Sequence, residues 1–165
     1  MSDHTEMSGW LYSVPKGKAK KVAALFNDYA LDEDHGARYH KGAWTPAEVR
    51  ELIDAQVQFT DDQFQCGSGH DLAKALRKLG CVFEFHEDPK YEWMGDLHMW
   101  HPELGQFYSI CDADGETTIG SSEIEHLERK FPKAGSRWVE LRARLGVDYM
   151  EKFHALVRPP ETVDV

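Results

Sequence analysis

Residues 81–128 read CVFEFHEDPKYEWMGDLHMWHPELGQFYSICDADGETTIGSSEIEHLE, and this stretch decides the fold. Cys81, Phe83 and Phe85 alternate with Val82, Glu84 and His86, the two-residue period of a half-buried strand. Asp88-Pro89-Lys90 supplies a turn. A second strand is predicted over about 93–101, with Leu97, Met99 and His101 on one side and Asp96, His98 and Trp100 on the other. Pro102 to Gly105 turns the chain again, 106–112 reads as a third strand, Asp114-Gly115 is a hairpin signal, and 116–120 is a short fourth strand. Connections this short join antiparallel neighbours. The expectation is a three- or four-stranded antiparallel meander over about 81–120.

The period changes to that of helices on both sides. Upstream, Val22, Leu25, Phe26 and Tyr29 recur at helical spacing over about 18–30. A loop is expected over 31–44. Thr45-Pro46-Ala47-Glu48 is a helix start, with a Thr cap, Pro at the first helical position and Glu three residues on. That helix is expected to run to about Phe59, closed off by Asp61-Asp62. Ser68, with Asp71, is expected to cap a helix over 69–79 that Gly80 ends. Near the N-terminus, Trp10 to Tyr12 suits a short strand. Downstream, Ser121 or Ser122 is expected to cap a helix to Lys130. A final helix over 136–157 carries an apolar stripe from Trp138 to Leu156, and Gly146 is placed to bend or split it. The layout is α+β: the meander packs against helices from both flanking segments. Residues 1–157 form one domain on this reading, and 158–165 a loose tail with two prolines.

Composition narrows the function. A chain of 165 residues that is 41% hydrophobic and 29% charged suits a soluble globular protein. No apolar run approaches the roughly 20 residues of a membrane span. The three cysteines, Cys66, Cys81 and Cys111, form no CxxC pair, so reduced thiols in a cytoplasmic setting are expected. There is no phosphate-binding glycine loop.

Charge is unevenly distributed. Residues 81–128 hold twelve Asp/Glu against one Lys, a net of −11, whereas the rest of the chain sums to +1. Such a field repels nucleic acid and anionic membranes and steers in basic protein surfaces. We therefore expect a small acidic intracellular binding protein and not an enzyme. Its sheet would present Glu84, Glu87, Asp88, Glu92, Asp96, Asp112 and Asp114, with Trp100 and Tyr108 as aromatic anchors, to a basic partner. Inhibition or regulation of a nucleic-acid-handling protein fits, in the manner of a phage or mobile-element accessory protein. Pairing of two copies along a sheet edge is a further option. No cofactor is needed on this reading.

An alternative is metal binding. Asp112 to Glu123, DADGETTIGSSE, resembles the twelve-residue calcium loop of the EF-hand family. The resemblance implies oxygen ligands from Asp112, Asp114, Glu116, the Thr118 carbonyl and Glu123. The same letters also fit a hairpin turn. A transition metal or acid–base chemistry is the second option, on a sheet face bearing Glu84, His86, Asp96, His98, Tyr108 and Asp112, with His86 and His98 as its imidazoles.

Overall fold

A computed structural model describes residues 3–33 and 42–157. The expected tail 158–165 and residues 34–41 of the expected loop lie outside them. In chain order the elements are β1 (His4–Ser13), α1 (Ala19–Asp28), β2 (Asp32–Glu33), α2 (Pro46–Asp54), β3 (Phe59–Gln65) and α3 (Gly69–Leu79). There follow β4 (Val82–Glu87), β5 (Gly95–His101), β6 (Gly105–Cys111), α4 (Ser121–Lys130), α5 (Ala134–Arg144) and α6 (Val147–Val157).

The fold is α+β, as expected, but its sheet is larger. The meander supplies β4, β5 and β6, and the full antiparallel sheet runs β2-β3-β1-β4-β5-β6. The expected fourth strand over 116–120 shrinks to one bridge between Cys111 and Thr117. β6 is thus an edge strand, and the sheet extends instead from β4, through strands from the first part of the chain. β1 spans ten residues and sits centrally, between β3 and β4. Thr5, Met7, Gly9 and Leu11 of β1 are buried while Glu6, Ser8, Trp10 and Tyr12 are more open, the alternation of a strand with one face on a core. β3 corrects a second expectation. α2 stops at Asp54, and Asp61-Asp62, expected to end that helix, lie inside a strand.

The local chemistry explains where elements start and stop. The Thr45–Glu48 capping box forms in both directions. Gly80 ends α3 in the left-handed region, at φ 81°. Ser68 makes no side-chain cap, and α4 begins after Gly120 instead of on a serine cap, so both serine expectations fail. Gly146, at φ 67°, splits the expected last helix into α5 and α6. Trp138, expected to point inward, is 59% exposed.

Two cores share the sheet. On one face, Met7, Leu11, Phe83 and Phe85 pack with Val22 and Phe26 of α1, Val49 and Leu52 of α2, and Leu72 and Leu76 of α3. On the other, Val82, Leu97, Met99 and Cys111 pack around Phe153 of α6, which Tyr12 and Tyr149 flank at ring distances of 5.6 and 5.9 Å. Both faces of the meander therefore carry a core, although Gln106 and Tyr108 of the edge strand β6 remain exposed on the α3 side. Among the described residues, no helix is long and apolar enough to cross a membrane.

Candidate functional site

Strand register sorts the polar residues. Phe85 pairs with His98, and His98 with Tyr108; one step away, His86 pairs with Leu97, and Leu97 with Ser109. Directly opposed residues in an antiparallel ladder share a face, and a one-residue step changes it. The expected common face is thereby corrected. Asp96, His98 and Tyr108 lie on the α3 side, whereas Glu84 and His86 lie on the α6 side.

The α3 side carries a buried polar cluster at the N-terminus of that helix. His98 is 1% and Glu87 3% exposed. Glu87 Oε1 accepts a hydrogen bond of 3.0 Å from the Gly67 N–H, just ahead of the positive end of α3. Glu87 Oε2 stands 3.6 Å from His98 Nε2, beyond hydrogen-bond reach. Oε2 and both His98 ring nitrogens have no partner within the protein. A buried polar group left so costs about 1–3 kcal/mol. Gly69 makes the approach of α3 feasible: a β-carbon there would lie 2.1 Å from Glu87 Oε2 and 2.7 Å from His98 Nε2.

Around this pair, His98 stacks on Phe85 at 4.8 Å and meets the exposed His70 edge-on at 4.8 Å. The Tyr108 hydroxyl donates to Asp96 Oδ1 at 2.7 Å. Burial, and then the Asp96 carboxylate, push the Tyr108 phenol well above its usual range. Donor atoms of His70, Asp96 and His98 all lie within 4.8 Å of one another.

The opposite face opens beyond the reach of α6 into a cleft of about 460 Å³ at strands β3, β1 and β4. Glu6, Asp61, Asp62, Asp88 and Asp114 line it with Ser8, Gln58, Thr60 and His86, and no Lys or Arg does among the described residues. A register shift in the β1–β3 ladder between Thr5 and Met7 accompanies the presence of both Asp61 and Asp62 at the rim. The 114–115 turn closes the other side, with Gly115 resting on the His86 ring. His86 Nε2 is 3.3 Å from Asp88 Oδ1. Burial holds the Asp61 and Asp88 carboxyls above their ordinary value of 3.8; the Gln63 N–H opposes the rise at Asp61, and His86 opposes it at Asp88. Thr60 is 8% exposed, and its hydroxyl has no partner.

A family model described as "Protein of unknown function (DUF3145)" matches residues 21–162. The chain belongs to the DUF3145 family. No curated protein and no solved structure matches it. The match begins inside α1, so β1 lies ahead of it although β1 is a central strand of the sheet.

The DUF3145 chain distributes the residues expected to form one acidic surface among several settings. Glu84 is held by the Tyr12 hydroxyl and by His154 Nε2 at 3.1 Å, under α6. Glu87 is buried, and Trp100 is partly buried against the first core. Glu92 is exposed on the β4–β5 connection. Asp96 and Tyr108 bond each other, and only Asp88 and Asp114 line the acidic cleft. In the calcium-like loop the segment entering is the strand β6 and not a helix. Asp112 Oδ1 accepts the Asp114 and Glu116 N–H groups at 2.9 and 3.0 Å, and the Glu123 carboxylate pairs with Arg144. Thr118 donates its N–H to Ile110. These acids serve a turn and an ion pair, and among the described residues they form no cluster of three donors. His70, Glu6, Asp61 and Asp62 were missed from sequence. The signal for His70 was its seat at the start of α3 and for Glu6 the alternation of β1; Asp61 and Asp62, in β3, gave none.

Proposed function

We propose that this DUF3145 protein is a binding protein that receives a Lys/Arg-rich segment of a protein partner in its acidic cleft. On this reading the docking surface is not the meander face expected from sequence but the cleft built from β1 and β3 together with Asp88 and Asp114. The observation that carries the reading is Thr60: a buried hydroxyl without a partner, at the floor of a cleft whose rim holds five carboxylates and no Lys or Arg among the described residues. Burial has left Asp61 and Asp88 partly desolvated, and an incoming ammonium or guanidinium stabilises their charged forms. A cationic segment can meet both needs, offering charge to the rim and peptide groups to Thr60. Regulation of a partner that handles nucleic acid follows as the class of role, because the segments of such proteins that grip phosphate are basic.

Calorimetry with a short Lys/Arg peptide tests this. Asp62 and Asp114 are exposed, so Asp62→Asn and Asp114→Asn leave the fold intact. Each is expected to weaken binding by up to about fivefold, with a reduced dependence on salt. Glu125→Gln, on the exposed side of α4, should leave binding unchanged. Affinity that ignores both cleft variants, or ignores salt, overturns the reading.

A further inference from the structure

We propose that His70, Asp96 and His98 bind a divalent first-row transition-metal ion at the N-terminus of α3. This site is independent of the acidic cleft: His98 and His86 face opposite sides of the sheet. Two observations converge on it. The three donors already lie within 4.8 Å of one another. Separately, His98 is almost wholly buried with neither ring nitrogen bonded, and a buried carboxylate oxygen, Glu87 Oε2, is equally unpartnered 3.6 Å away. An imidazole needing only to pack would be costly to leave so; one poised for an ion has its lone pair ready.

The chemistry of the donors selects the ion. Two imidazoles and one carboxylate suit zinc, iron or manganese and not calcium, which takes oxygens. Metal–ligand bonds of about 2.0–2.1 Å place tetrahedral donors roughly 3.3 Å apart. The present spacing must therefore contract, and His70 can supply the movement: it is exposed on the first turn of α3, so its side chain turns without shifting the backbone. The outer contacts fit as well. The Tyr108 hydroxyl fixes Asp96, and Glu87, 3.6 Å from His98 Nε2, stands where a small contraction on metal binding would make it the outer carboxylate that holds a ligating imidazole. Asp96 and Glu87 together balance the charge of a divalent ion. Three protein ligands leave the fourth position open towards the solvent that reaches His70, an arrangement in which a metal carries water.

The protein, stripped with EDTA, is titrated with cobalt(II) and then zinc(II), followed by the cobalt d–d absorption and by calorimetry. One ion per chain is expected, with imidazole–carboxylate coordination. His70→Ala, at an exposed position, is expected to lower affinity at least tenfold without loss of helical signal. Glu87→Gln should lower it about 10–100-fold. His126→Ala, exposed on α4, serves as the control and should leave binding unchanged. If His98→Gln fails to fold, His70→Ala and Asp96→Asn decide the matter. Absence of stoichiometric binding at micromolar zinc, or affinity equal to wild type in both variants, overturns the assignment. Peptide binding in the acidic cleft is unaffected by either result.

Discussion

His86 and His98 lie on opposite faces of the sheet. The cause is a single step of register: Phe85 is the residue that pairs with His98, and His86 pairs with Leu97. Each imidazole therefore belongs to a different layer. His98 is locked under α3 with Glu87, while His86 lines an open cleft beside Asp88.

The approach of α3 to that first layer depends on the missing side chain at Gly69. Gly69→Ala would drive a methyl group into Glu87 Oε2 and His98 Nε2. Overpacking of this kind costs about 1–3 kcal/mol. Urea denaturation should show a lowered midpoint at unchanged slope. Gly135→Ala in α5, where a β-carbon meets nothing within 4 Å, should be neutral or gain about 0.5–1 kcal/mol.

Gly146 is expected to be still less tolerant. Its φ of 67° is unfavourable for any side chain, and a β-carbon would lie 2.2 Å from the Phe107 ring. Gly146→Ala should loosen the seat of α6, seen as weaker near-ultraviolet dichroism from Phe107, Tyr149 and Phe153. Phe153→Ala, at the centre of that second core, should cost about 3–5 kcal/mol.

Acidification should weaken binding of a basic peptide in the cleft. Asp61 and Asp88 hold their protons to a higher pH than ordinary carboxyls, and a cationic ligand favours their charged forms. Binding below that raised range must expel protons, so affinity falls as pH drops towards 3.8 and is full well above it. Calorimetry in buffers of different ionisation enthalpy would register the released protons. In the free protein the sign is reversed for stability. These two groups bind protons more tightly folded than unfolded, so their contribution to stability declines as pH rises from 3.8 through the raised values.

Thiol reactivity should separate the cysteines. Burial pushes Cys81 and Cys111 up to about 12, and at Cys111 the nearby Asp96 and Asp112 add to the effect. Cys66 is also raised but is partly accessible. At pH 8, an alkylating reagent followed by mass spectrometry should modify Cys66 first, and Cys81 and Cys111 only after unfolding.

Much of the fold was legible because local signals carried it. The alternation from Val82 to His86, the Thr45 capping box and the Gly80 stop each act within a few residues, and each appears where it was expected. β3 was hidden because FTDDQFQ puts two acids where a strand normally packs; its pairing to β1 on one side and β2 on the other overrides that propensity. The site was less legible than the fold. Alternation told which residues of one strand share a face, but only the ladder says how β4 sits against β5, and that step separates His86 from His98. Concentration of acids along residues 81–128 likewise did not translate into one surface. Glu84, Glu87 and Glu123 are taken up by Tyr12 and His154, by the Gly67 N–H and by Arg144, while Glu6, Asp61 and Asp62 join the cleft from the other end of the chain.

The central position of β1 has a consequence for biogenesis. This strand is made before both its neighbours in the sheet, β3 at residues 59–65 and β4 at 82–87. Until β3 emerges the nascent segment offers two unpaired backbone edges, and until β4 follows it still offers one; closing the sheet requires contacts distant in sequence, which form slowly. A recombinant fragment trimmed to the matched residues 21–162 would remove that strand and leave β2-β3 and β4-β5-β6 as separate ribbons. Each would expose a raw edge in place of the ladder that joins them, and such edges template aggregation.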